Sequence, residues 1–90
     1  MAVKKFSGPQ TGTAITTEPI YLRNALITAA AADATATIIG NGTNEIVMAC
    51  KAGESFSYPS TGGGVLSQEI IPGPVTITIT GAGAFVRISY

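Results

Sequence analysis

Hydrophobic and polar residues alternate with a period of two along most of this chain, which is the pattern of strands buried on one face. The alternation is clearest in Val75–Thr80, where aliphatic residues take the odd positions and threonines take the even positions. Turn-forming residues separate the runs, and Asn41-Gly42 is the strongest signal, since this pair supplies the positive φ angles of a tight hairpin. Strands are predicted over the runs 13–17, 20–28, 35–39, 45–51, 54–58, 65–71, 75–80 and 84–90.

Seven or eight short strands with turns about every 8–12 residues predict an all-β domain, an antiparallel β-sandwich of jelly-roll type. Helix competes only in the alanine-rich segment Ala29–Ala34, which is too short to hold one, so a loop or a single turn is expected. Pro59–Gly64 is predicted to be a loop from its composition. The predicted core takes one face of each strand and consists of Leu22, Leu26, Ile38, Ile46, Met48, Phe56, Ile77, Ile79, Val86 and Ile88.

The division of the chain follows from the same pattern. Residues 1–12 are rich in turn formers and are predicted to be an N-terminal arm or a loosely paired strand. Residues 13–90 are predicted to form a single β-sandwich domain. Asn24 interrupts the apolar face of the run 20–28, so that either it hydrogen-bonds inside the protein or the strand bulges there.

The composition supports strands and favours self-association. Five valines, eleven isoleucines and twelve threonines stand against three leucines, a balance that favours strand over helix. Five basic and five acidic residues leave no net charge, which argues against nucleic acid as a partner. Only 11% of the residues are charged, and a surface this poor in charge tends to associate. We therefore expect a homotrimer, with a dimer as the second choice.

Residues that carry chemistry are scarce. The chain has no histidine, and its single cysteine, Cys50, lies in a strand-like run where a buried small hydrophobic residue is the simplest interpretation. The five carboxylates are far apart in the sequence, and no metal-binding or phosphate-binding motif is present. No catalytic, cofactor-binding or metal site is predicted, so the protein is expected not to be an enzyme. No run is long or apolar enough to predict a signal peptide or a membrane span.

Two groups of residues are candidates for binding. Thr76, Thr78 and Thr80 form one row, which is either the solvent face of a strand or an uncharged contact between subunits. A sugar platform could be built from five aromatic residues, Tyr21, Phe56, Tyr58, Phe85 and Tyr90, although the chain lacks tryptophan. For alternating strands, core or interface positions are the commoner explanation of such residues. Tyr58 and Tyr90 are the aromatic candidates for an interface.

Three segments together resemble a group of small structural proteins of tailed-bacteriophage virions. The first is the strand and alanine-rich connection of Leu22–Ala34, followed by a strand into Gly40-Asn41-Gly42. The second is Lys51–Phe56, with its order of small residue, glycine, two polar residues and an aromatic residue. The third is the closing hairpin Val75–Tyr90, with its Thr-Gly-small-Gly turn and terminal tyrosine.

The resemblance covers roughly residues 20–90 and implies a β-sandwich subunit, commonly trimeric, mounted on a phage head or tail. It implies a capsid decoration or cement protein, made in the host cytoplasm and located in the virion, with the major capsid protein or another virion protein as partner. A tail, baseplate or fibre component and a sugar-binding β-sandwich module are the alternatives. Within this hypothesis Ala2–Gln10 is an arm whose Lys4 and Lys5 meet carboxylates of the shell, or else a frayed terminus.

Overall fold

A computed structural model describes residues 2–58 and 69–90, and these residues form strands and turns without any helix. The described strands are ten in number, and five of them bury every second side chain, as the alternating pattern predicts. They are β1 (Val3–Ser7), β2 (Gln10–Thr16), β3 (Ile20–Leu22), β4 (Asn24–Thr28), β5 (Ala34–Gly40), β6 (Thr43–Cys50), β7 (Ser55–Tyr58), β8 (Glu69–Ile71), β9 (Val75–Thr80) and β10 (Phe85–Ser89).

The strands form two four-stranded sheets and one two-stranded ribbon. One sheet has the order β1-β10-β4-β7 and the other has the order β2-β9-β5-β6, while β3 pairs with β8. Every pairing is antiparallel. The predicted all-β antiparallel class is therefore confirmed.

The number of strands exceeds the seven or eight predicted. One extra strand arises because the predicted run 20–28 is divided into β3 and β4, with Arg23 outside both. The other arises because residues 1–12 contribute β1 and the start of β2. β1 pairs with β10 over five residues, from Val3 opposite Ser89 to Ser7 opposite Phe85. Residues 59–68, which include the predicted loop Pro59–Gly64 and the start of the predicted strand 65–71, lie outside the described part.

The buried side chains of both four-stranded sheets belong to a single hydrophobic cluster, and the described part contains no buried polar or charged residue. Eight of the ten predicted core residues are buried. Phe56 is half-buried and packs against the cluster, so it stands at the margin of the core. Central strand β9 keeps the predicted phase throughout, with Val75, Ile77 and Ile79 buried.

Leu26 was predicted to be in the core, and this prediction is wrong. β3 buries its even positions Ile20 and Leu22, but β4 buries the odd positions Ala25 and Ile27, which leaves Leu26 half-buried on the outer side. The phase changes because the strand is interrupted at Arg23, whose backbone N–H donates to Ser89 O at 2.9 Å. Asn24 lies just after this break, with its side-chain Nδ2 3.4 Å from Tyr58 O.

Candidate functional site

The sheet β2-β9-β5-β6 exposes an uncharged outer surface, which we call the threonine face. Thr76, Thr78 and Thr80 of β9 point outward because the residues between them are buried. On β5 their cross-strand partners are Ile39, Thr37 and Thr35, which alternate with buried residues in the same way. The threonine face consists of Ala14, Thr35, Thr37, Ile39, Val47, Ala49, Thr76, Thr78 and Thr80.

Charge is almost absent from the strands that build the threonine face. Glu45, at the irregular end of β6, is the single charged residue in the four strands. Val47 is 64% exposed near the middle of β6, opposite Thr37. The surface therefore offers methyl groups and hydroxyls in rows, a composition that packs against another uncharged surface without the cost of desolvating ions.

Two of the hydroxyls on this face also hold the sheet together. Thr78 Oγ1 accepts a hydrogen bond from the Gly12 N–H at 3.0 Å, and Thr80 Oγ1 accepts one from the Thr35 N–H at 3.2 Å. The hydroxyls of Thr35 and Thr80 also hydrogen-bond to each other. Within the described residues, Thr37 and Thr76 make no side-chain hydrogen bond, so their hydroxyls are available to a partner.

The outer face of the other sheet carries a cationic pair. Lys5 of β1 and Arg87 of β10 lie directly opposite each other in the antiparallel register. Both are exposed, and neither forms an ion pair with another described residue. Like charges directly opposite each other on a sheet repel. The fold therefore leaves here a positive site with no neutralising carboxylate in the described part.

Lys4, the other predicted basic contact, is placed differently. Its Nζ donates to Ile15 O of β2 at 2.5 Å, so it joins an edge strand of one sheet to an edge strand of the other. Because Val3–Ser7 is a paired strand, the proposed arm Ala2–Gln10 contains an element of the sheet. Deleting it would remove that strand as well as any contact with a neighbour.

The predicted interface residues Tyr58 and Tyr90 lie at one end of the sheet β1-β10-β4-β7. Tyr58 pairs with Ala25, and Tyr90 follows β10, where its N–H donates to Ala2 O at 2.9 Å. Both side chains are half-buried against the hydrophobic cluster. The structure thus separates the predicted interface residues into three places: the threonine row, the lysines at β1, and two tyrosines at the margin of the core.

An open groove of about 430 Å³ lies where β6 ends and the turn to β7 begins. The alanine-rich connection after β4 closes against this turn, with the Gly53 N–H donating to Ala30 O at 2.9 Å. Asp33 Oδ1 accepts from the Ala52 N–H at 2.9 Å, whereas the Glu54 carboxylate has no partner among the described residues. The groove is lined by Asp33, Ala34, Thr35, Ala49, Cys50, Lys51 and Glu54.

The described residues offer no obvious chemistry at this groove. Cys50 is a free, half-buried thiol packed against the core, not the fully buried residue that the sequence suggested. Across residues 2–58 and 69–90, no three histidine, cysteine or acidic residues come together as a possible metal site. The same residues contain no helix long and apolar enough to cross a membrane.

The aromatic residues considered for a sugar platform are distributed over separate faces. Phe85 lies on the outer side of β10, and Tyr21 lies on the β3–β8 ribbon opposite Ile70. Tyr21 and Ile70 are 60% and 61% exposed, and together form an apolar pair that the sequence pattern did not single out. Phe56, like Tyr58 and Tyr90, packs against the core.

Comparisons with protein-family models, curated proteins and solved structures find no match to this chain.

Proposed function

We propose that this chain is a non-enzymatic structural protein of a bacteriophage virion, a capsid decoration or cement protein that stabilises the phage head from outside. Two things support this proposal: the resemblance of residues 20–90 to small virion proteins, and the threonine face. The threonine face is the observation that carries it, because a broad uncharged sheet surface suits permanent contact with another protein better than exposure to water.

The finer fold in this proposal is a jelly-roll β-sandwich. When the β3–β8 ribbon is left out, the other eight strands can be renumbered from 1 to 8 in chain order. The sheet β1-β10-β4-β7 then has the order 1-8-3-6, and the sheet β2-β9-β5-β6 has the order 2-7-4-5. Such interleaving of early and late strands is typical of a jelly roll, an architecture common in viral shells, and it supports this finer fold. The shared hydrophobic cluster supports face-to-face packing of the two sheets.

The proposed partner of the threonine face is a neighbouring shell subunit, the major capsid protein, with an equally uncharged surface. Cement proteins act by burying area at joints that the shell leaves weak, so that binding to the assembled state stabilises that state. Since the face contains no cation and borders one carboxylate, the contact gains little from long-range electrostatics. Its strength is expected to depend only weakly on salt. The protein itself is proposed to assemble as a homotrimer.

The test is to count copies of the protein against the major capsid protein by mass spectrometry of purified virions, using matched variants. Thr37→Lys places a charge in the middle of the threonine face, and Thr17→Lys places the same charge at an exposed position in the connection between β2 and β3. We expect Thr37→Lys to lower occupancy at least tenfold, while Thr17→Lys keeps a fixed stoichiometry. Equal occupancy of the two variants would contradict the role of this face.

The location of the protein in the virion decides between the proposal and its alternatives. A cement protein is found in heads at fixed stoichiometry, and virions lacking it release their genome at a lower temperature. Recovery only in isolated tails would replace the cement role with that of a tail, baseplate or fibre component. Absence from the particle, together with saturable binding of a soluble sugar, would replace it with a sugar-binding module.

A further inference from the structure

Three of the five basic residues and two of the five acidic residues are concentrated at two different places on the surface, and the chain as a whole is neutral. Strands β1 and β10 carry Lys4, Lys5 and Arg87 and contain no carboxylate. The groove at the end of β6 has Asp33 and Glu54 in its lining and one cation, Lys51. One part of the surface is thus positive and another is negative, which is the condition for like copies to attract each other head to tail.

We propose that the Lys5–Arg87 pair of one copy docks against the Asp33–Glu54 groove of a second copy of this chain. This inference rests on the self-assembly included in the proposed function, and it names the two surfaces that meet. The basic surface and the groove are different patches, so the contact is heterologous and each copy has one of each. Repeating such a contact closes a ring when the rotation allows it, and three copies are the number proposed above.

Both surfaces combine charge with apolar contact area. Leu26 lies beside Arg87 on β4, and Phe85 is 38% exposed two residues away on β10. On the opposite side, Ala34, Ala49 and Cys50 line the groove next to the two carboxylates. Arginine set among apolar residues is common in protein interfaces, because its guanidinium forms directional hydrogen bonds with carboxylates.

The repulsion within the basic pair favours a carboxylate as the group that binds to it. In the isolated chain Lys5 and Arg87 face each other with no described carboxylate to neutralise them. A carboxylate from a second copy relieves this repulsion and gains charge-assisted hydrogen bonds. Glu54 is the carboxylate best suited to this role, since Asp33 already accepts a hydrogen bond from the Ala52 N–H.

The experiment exchanges the charges and measures mass by sedimentation in low salt. The wild type is expected to sediment at about three times the 9.1 kDa chain mass. Arg87→Glu and Glu54→Lys are each expected to sediment as single chains. The double variant Arg87→Glu/Glu54→Lys restores opposite charges at the same contact, and it is expected to regain the mass of the wild type.

Arg23→Glu is the matched control, because it changes the charge by the same amount as Arg87→Glu at an exposed position that belongs neither to the Lys5–Arg87 pair nor to the lining of the groove. It is expected to behave as the wild type, and circular dichroism checks that every variant keeps its strands. The inference is overturned if Arg87→Glu sediments like Arg23→Glu, if the double variant stays a single chain, or if the wild type is itself a single chain.

The two proposals fail separately. If the protein is present in virion heads and its trimers are insensitive to the charge exchange, only the proposed contact is refuted. Charge-dependent assembly of a protein absent from virions would leave this contact in place and remove only the virion function.

Discussion

At the scale of single residues, Gly81 is the clearest case of a position where the backbone conformation and the surrounding packing require glycine. It follows β9 with φ at 106°, a conformation that residues with a Cβ rarely adopt. A Cβ at this position would also lie 2.7 Å from Asp33 O and 2.9 Å from the Ala34 Cβ. The turn between β9 and β10 therefore packs directly on the start of β5, and only glycine leaves room for that approach.

Gly81→Ala is expected to lower the free energy of unfolding by about 2–4 kcal/mol, the sum of a strained φ and a steric overlap. Gly53→Ala is its control, since Gly53 has a similar positive φ of 78° but open space where the Cβ would stand. That variant is expected to lose only about 1 kcal/mol. Urea unfolding of both proteins measures the difference, and equal losses would show that the close approach to β5 does not exist.

At the scale of the strands, the period-two pattern is sufficient to predict the buried face where it continues without interruption from one end of the strand to the other. Val75–Thr80 and the Asn41-Gly42 turn were predicted correctly because their signals are local. The run 20–28 led to the wrong prediction for Leu26, which shares the even phase of the buried Leu22. The interruption at Arg23 shifts the buried face by one residue, so β4 buries its odd positions. Asn24 marks the place in the sequence, and a bulge there is one of its two explanations, but the shift of phase is set by the hydrogen bond from the Arg23 N–H to Ser89 near the other end of the chain.

The candidate surfaces were predictable only in part for the same reason. The row Thr76, Thr78 and Thr80 is visible in the sequence, but its extension by β5 and β6 depends on the order of strands in the sheet. The opposition of Lys5 and Arg87 joins the two ends of the chain, so it appears only when β1 pairs with β10. Such long-range pairings are set by the packing of the whole domain rather than by neighbouring residues.

The shift of phase in β4 has a direct consequence for stability. Ile27→Ala is expected to lower the free energy of unfolding by about 2–5 kcal/mol, because Ile27 is fully buried and its truncation leaves a cavity. Leu26→Ala, one residue away in the same strand, is expected to cost about 1 kcal/mol or less, because Leu26 is only half-buried. Urea denaturation compares the two variants. A larger loss for Leu26→Ala would reverse the assignment of faces in β4.

At the scale of the whole molecule, the described surface exposes five large apolar side chains and carries few charges to keep copies apart. Val3, Tyr21, Val47, Ile70 and Phe85 are exposed on different sheets. The buried cluster includes five alanines, each of which contributes little apolar area to folding. A chain with these properties gains stability by adding a second copy at its surface, so folding and association are expected to be coupled.

Coupling of this kind makes the melting temperature depend on protein concentration. For a trimer that unfolds to single chains, a hundredfold rise in concentration adds two-thirds of RT ln 100, or about 1.8 kcal/mol per chain. In a domain of this size that corresponds to a rise in Tm of roughly 7–14 °C. Calorimetry at about 2 µM and about 200 µM protein measures this rise in Tm. Arg23→Glu is expected to show the same rise as the wild type, and Arg87→Glu is expected to show none. A wild-type Tm that stays constant over this range would mean that the chain folds alone, and would contradict the trimer.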